Sequence, residues 1–218
     1  MAEVVLFGRV RVPAGAMNHS TFRRWIRRVK VPGTGQISFI QGQLWVEETE
    51  DHFHNQMVLA LTLGLGRLNL SQSLGRIWFQ TMLLTNRKVK LSTEPDAMFA
   101  SWDTLRARRV KLVGGDRNGG VEVVGTPDMV LEVVSRSSIQ KDKGMLPSLY
   151  WQAGIPEYWL VDPRRSPVRF DILRATTTGY RRVRAVDGWR KSRVFDVEFR
   201  IVESTDPLGD PAYRLESR

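Results

Sequence analysis

Cysteine is absent from this chain of 218 residues, which excludes disulfides, thiolate zinc sites and cysteine nucleophiles and fits a reducing cytoplasm. Histidine is scarce, at three residues, so no histidine cluster is present to favour zinc either. Acidic charge is in deficit: 23 Asp and Glu stand against 33 Lys and Arg, a formal net charge of +10. That balance points to a polyanionic partner, nucleic acid before any other. No apolar run approaches the length of a membrane span. Met1 to Arg9 is also too short in apolar residues, and wrongly ordered in charge, for a secretory signal. The expectation is a soluble cytoplasmic protein that meets no membrane.

What is present is enough apolar sequence, 42%, for one domain with a real core. A strand over Val4–Leu6 and a short basic helix beginning near Ser20 read as an N-terminal arm, 1–30. After the turn at Val31–Gly35, Ile37–Val46 alternates as a strand interrupted at Gly42, which reads as a hairpin turn or a bulge. From Phe53 the apolar residues Met57, Leu61 and Leu65 fall at helical spacing, with Thr49 or Asp51 as the N-cap. Strands are expected at Arg76–Phe79, Lys88–Leu91 and Ala97–Phe99, and a polar loop at Gly114–Gly120. A second helical region, Ser138–Ala153, is stopped by Gly154 and Pro156, and Gly144 and Pro147 predict a kink or a restart with Pro147 in its first turn. Glu157–Asp162 and Val168–Ile172 read as a hairpin. The mixed order predicts an α/β (α+β) fold over 31–200, with a central mixed sheet flanked by helices, and a C-terminal tail, 201–218.

Within that order one residue breaks its own pattern. Glu132 stands in Met129-Val130-Leu131-Glu132-Val133-Val134, a run that otherwise reads as a strand buried on both faces. A buried carboxylate needs a cation, a proton or an active-site cleft, because desolvating an unpaired charge costs several kcal/mol or more. Asp96, held after Pro95 at the head of another apolar stretch, is a second carboxylate in a similar setting. On neighbouring strands the two would meet and offer hard oxygen ligands to Mg²⁺ or Mn²⁺. Taken alone, Asp96 is also an ordinary turn residue, and an ion pair with one of many arginines would equally account for Glu132. His52 and His54 read as a helix-start or packing feature, and Trp151, Tyr158 and Trp159 as core.

Several blocks in fixed order resemble the Uma-two-type restriction endonuclease family of the PD-(D/E)XK nuclease superfamily. They are His54-Asn55, Pro95-Asp96, Pro127-Asp128-Met129-Val130-Leu131-Glu132-Val133-Val134-Ser135, Asp142, Tyr150, and Ala153-Gly154-Ile155-Pro156-Glu157-Tyr158-Trp159-Leu160-Val161-Asp162-Pro163. The resemblance covers about 37–180 and implies a restriction-endonuclease-like core that hydrolyses phosphodiester bonds in DNA at a metal ion. It implies Asp96, Glu132 and the carbonyl of Val133 as metal ligands, an upstream helix carboxylate for which Glu50 is the candidate with Glu47 and Glu48 as alternatives, and a lysine. Here the chain departs from the pattern: the two expected lysine positions hold Val134 and Leu146, which leaves Lys141 and Lys143 as substitutes. Acidic residues common in relatives are also replaced, by Ser38 and Gln41. A homodimer is expected on geometric grounds, since two symmetric sites cut both strands most simply. The missing lysine keeps a nucleic-acid-binding or interaction protein without chemistry, and a basic scaffold with structural carboxylates, open beside the nuclease.

Overall fold

The structure, a computed structural model, describes residues 3–6, 10–13, 18–27, 36–47, 51–80, 82–114 and 120–218. The chain forms two compact units. The first comprises Met1–Thr49, Thr81–Glu94 and Lys111–Gly125, the second Glu50–Gln80, Pro95–Val110 and Thr126–Arg218. Residues 31–200 contribute to both units, and residues 1–30 fall in the first.

In the first unit β1 (Glu3–Leu6) and β2 (Val10–Pro13) pair antiparallel. α1 (His19–Ile26) begins earlier than Ser20 suggested, because the Asn18 side chain accepts from the Thr21 backbone N–H and caps it. Phe22 and Ile26, one turn apart, turn inward with Phe39 and Ile37, so the helix is docked on the core. A six-stranded sheet runs in the order β4-β3-β7-β6-β10-β9. Its strands are β3 (Gln36–Ile40), β4 (Gln43–Glu47), β6 (Leu83–Asn86), β7 (Leu91–Thr93), β9 (Val110–Val113) and β10 (Glu122–Gly125). Gln41 and Gly42, at φ of 50° and 85°, make the turn between β3 and β4. The strand expected at Lys88–Leu91 is instead mostly the β6–β7 turn. The Asn86 side-chain oxygen accepts from the backbone N–H groups of Lys88 and Val89 (3.1 and 3.4 Å), and Lys90 takes φ of 51°.

The second unit carries the other six-stranded sheet, β14-β13-β12-β11-β8-β5. Its members are β5 (Gly75–Phe79), β8 (Ala97–Ser101), β11 (Met129–Val133), β12 (Glu157–Asp162), β13 (Arg169–Thr176) and β14 (Gly179–Arg182). Only β11 and β12 run parallel; β5 with β8, β8 with β11, β12 with β13 and β13 with β14 are antiparallel. β11 is buried along its whole length and paired on both edges, as its apolar run requires. α2 (His52–Gln72) starts at Asp51, which accepts from the His54 backbone N–H at 2.9 Å. It buries Met57, Leu61, Leu65 and Leu68 into a core shared with Trp159, Phe170, Phe195 and Phe199. A short helix, α3 (Trp102–Arg106), follows β8. Beyond β11 the chain winds as one wide π-helical turn (Gln140–Met145) and then restarts as α4 (Leu146–Gln152), with Pro147 in its first turn where no N–H is needed.

Residues 201–218 are not a trailing tail. β15 (Arg190–Lys191), β16 (Glu198–Thr205) and β17 (Pro211–Ser217) form an antiparallel sheet, and β17 packs on α2. Gly64 permits this approach: a Cβ there would lie 2.7 Å from the Leu215 Cβ. No helix among the described residues is long and apolar enough to cross a membrane.

Candidate active site

Asp96 arrives at the site through the β8–β11 ladder. Ala97 pairs with Leu131, and one further antiparallel step brings Asp96 level with Glu132. Its carboxylate oxygen Oδ2 accepts from the Val133 backbone N–H at 2.6 Å, and Oδ1 lies 3.6 Å from His54 Nε2. His54, fully buried at the start of α2, thus meets Asp96 as well as packing.

Glu132 is 2% exposed, and its Oε1 accepts from the Tyr150 hydroxyl of α4 at 2.6 Å. The π-helical turn delivers two more charged side chains to the buried side: Lys141, 3% exposed, and Asp142, 1% exposed. Lys141 Nζ lies 3.5 Å from Asp142 Oδ1, and the Tyr158 hydroxyl donates to the Asp142 carbonyl at 2.8 Å. Burial pushes the Glu132 carboxyl well above the usual carboxylate range. The positive charge of Lys141 opposes that shift, the charges of Asp142 and Asp96 add to it, and the Tyr150 hydrogen bond opposes it. Burial, followed by the negative charge of Glu132, likewise raises the Tyr150 phenol.

Directly paired positions share a sheet face, so Glu132, Leu160 and Asp171 line up across β11, β12 and β13. Leu160 and Asp171 also line a cavity of about 480 Å³ together with Lys143, Trp151, Arg169 and Arg182.

Asp96, Glu132 and Val133, singled out from the sequence, are therefore together. Of the two candidate lysines, Lys141 joins them. Lys143 instead pairs with Asp162, which also accepts from Arg164. Val134 and Leu146, which stand where lysines were expected, are fully buried. Glu48 and Glu50 lie outside the described residues, and Glu47 is in β4, in the first unit. Asp128 has a structural role, accepting from the Ser101 N–H, the Thr104 hydroxyl and Arg109. Tyr150 has a part that sequence reasoning left unassigned. The signal was its place on α4 one turn after Leu146, on the face that the helix buries.

Among the described residues no set of three or more His, Asp or Glu side chains is arranged to hold a metal ion. Asp96, just before β8, and Glu132, in β11, are both buried and are the residues that could hold a Mg²⁺, an ion that keeps most of its waters and takes one or two protein carboxylates. The family model "Uma2: Putative restriction endonuclease" matches residues 20–201 of this chain. No curated protein matches it. A solved structure described as "a putative nuclease belonging to DUF820" from Anabaena variabilis superposes with a TM-score of 0.62 at 15% sequence identity, covering 82% of this chain and 90% of that one. At that identity the likeness is one of fold.

Proposed function

The chain belongs to the Uma2 family, and from that membership we propose that it is a divalent-metal-dependent endonuclease that hydrolyses phosphodiester bonds in DNA, as a cytoplasmic homodimer. The observation that carries this reading is the meeting of Asp96 and Glu132 across β8 and β11, with Lys141 beside them.

Asp96, Glu132 and the Val133 carbonyl are the residues that would hold Mg²⁺ or Mn²⁺. A residue in a strand sends its N–H and C=O to the same edge, so the Val133 carbonyl leaves β11 on the side where its N–H meets Asp96. When bound, the metal lowers the pKa of a coordinated water and neutralises charge gathering on the phosphate. Tyr150 holds one oxygen of Glu132 and leaves the other for the cation, while the Val133 N–H and His54 fix the direction of the Asp96 carboxylate. Lys141 takes the place of the lysine missing at Val134 and Leu146, and orients the attacking water against the phosphate. Glu50 remains the proposed upstream carboxylate. The net charge of +10 favours a phosphate backbone as the substrate.

Supercoiled plasmid incubated with Mg²⁺ or Mn²⁺ is the direct test: the wild type nicks or linearises it, and Glu132→Ala does not. The apolar residues at both expected lysine positions favour a second reading, a DNA-binding protein without chemistry. Tight binding with no cleavage under any divalent metal would establish that one.

A further inference from the structure

We propose that a basic cavity in the first unit anchors the phosphate backbone of the DNA substrate, apart from the carboxylate site. The inference rests on the reading of the chain as a DNA nuclease. The cavity has a volume of about 960 Å³ and is bounded by α1 and by the β3–β4 and β6–β7 turns. Arg23, Arg24, Arg87 and Lys90 line it, and none of the described residues lining it is acidic.

The pairing of these cations decides what they are for. Arg23 is committed within the protein: its Nε and Nη2 donate to the two carboxylate oxygens of buried Glu122 at 2.6 and 3.0 Å. Arg24, Arg87 and Lys90 form no ion pair among the described residues. In the second unit the arginines around the sheets are largely committed: Arg109 pairs with Asp128, Arg164 with Asp162, Arg169 and Arg182 with Asp171, Arg200 and Arg214 with Glu216, and Arg218 with Glu198. Exposed arginines without an ion pair among the described residues, such as Arg67, Arg165 and Arg184, occur there too. Three positive charges left uncompensated around one concavity repel each other, and an external polyanion removes that repulsion.

The walls are also fixed in advance. Asn86 holds the turn that carries Arg87 and Lys90 by accepting from Lys88 and Val89. His19 Nε2 is hydrogen-bonded to the Ser92 hydroxyl at 2.9 Å, and its ring stacks on Phe39 at 5.5 Å between centroids. A space of about 960 Å³ is far larger than one phosphate, and its cations are spread over a helix and a turn. That layout suits a run of backbone phosphates rather than a single small anion. Such contacts set the position of the duplex and carry no sequence information.

The test is equilibrium binding of a labelled DNA duplex to the full chain in chelator, read by fluorescence anisotropy across a salt series. A triple variant Arg24→Ala/Arg87→Ala/Lys90→Ala is compared with a charge-matched control, Arg67→Ala/Arg165→Ala/Arg184→Ala, built from exposed arginines of the second unit, and circular dichroism checks that both fold. Three lost phosphate contacts lower the slope of log K against log salt by about 2.7, and the control lowers it by less than one. An unchanged slope in the first variant, or an equal fall in the control, overturns the inference even if the protein cleaves DNA. If the wild type binds no duplex, this inference and the DNA reading fall together. A slope that falls as expected in a protein that never cleaves leaves the anchor standing and removes only the nuclease.

Discussion

The Asp96 carboxylate accepts from the backbone N–H of Val133, the residue next to Glu132, at 2.6 Å. One oxygen of the first carboxylate therefore fixes the strand that presents the second. Asp96 is a structural pin and a proposed ligand at once, and the two roles separate under substitution.

Asp96→Asn keeps an acceptor for the Val133 N–H but loses the charge. It should melt within a degree or two of the wild type while metal-dependent cleavage falls by at least about 100-fold. Asp96→Ala strands a buried N–H and should lose about 1–3 kcal/mol in urea titrations as well. Equal stability of the two variants would contradict the pin.

Glu132→Gln tests the raised carboxyl. The folded-state pKa lies above the unfolded one, so the native state keeps a proton that the unfolded chain releases. Stability is then fully present below the ordinary carboxylate range, near pH 4, and is lost progressively as pH rises toward the folded value. In chelator the variant should be the more stable protein at pH 7, by a margin that narrows on acidification. Added Mg²⁺ should raise the wild-type melting temperature with release of protons, and leave the variant unmoved. A variant stabilised by metal to the same extent would remove Glu132 from the ligand set.

The lysines should part company. Lys141→Met keeps the volume of a side chain that is 3% exposed and should slow cleavage about 100-fold or more. Lys143→Ala should cleave at close to the wild-type rate and show its effect in stability, because Asp162 loses one of its two cationic partners. Loss of cleavage with Lys143→Ala alone would reverse the assignment.

Asp162 supplies an acid-side prediction. Burial alone would raise its carboxyl, but hydrogen bonds from Arg164 and Lys143 outweigh burial and hold it below the usual range. Its contribution is present above the unfolded value, near pH 4, and is lost as pH falls through the folded one. The stability gap between the wild type and Asp162→Asn, about 1–3 kcal/mol at pH 7, should close on acidification toward pH 2. A gap that held constant from pH 7 to pH 2 would show that the carboxylate charge is not what matters there.

The parts of this molecule that were legible in the sequence are those where one force dominates. The run Met129–Val133 declared a central strand by apolarity alone, and Glu132, by interrupting it, marked a buried carboxylate that the structure places beside Asp96. Pro147 announced a restarted helix because it cannot donate in mid-helix. The choice between Lys141 and Lys143 was not legible, since it depends on a turn wound wider than an α-helix, which alters which side chains face inward. Lys88-Val89-Lys90 alternates like a strand, and only the capture of two N–H groups by Asn86 makes it a turn. In 201–218 the polar residues Glu203, Asp206 and Asp210 conceal a hairpin whose inward side chain is Leu215, and the partner for Leu215 is more than a hundred residues upstream.

That distance has a consequence for how the protein comes into being. α2 opens the second unit and β17 closes it, and the two pack on each other at Gly64 and Leu215. A ribosome makes the helix early and its covering strand last, so the apolar face of α2 waits through the synthesis of every other strand of the unit. His54 stands on that same helix and meets Asp96. A chain interrupted before β17 would therefore carry the two candidate carboxylates on strands already made, with the face of α2 that β17 covers still open on the helix that carries His54.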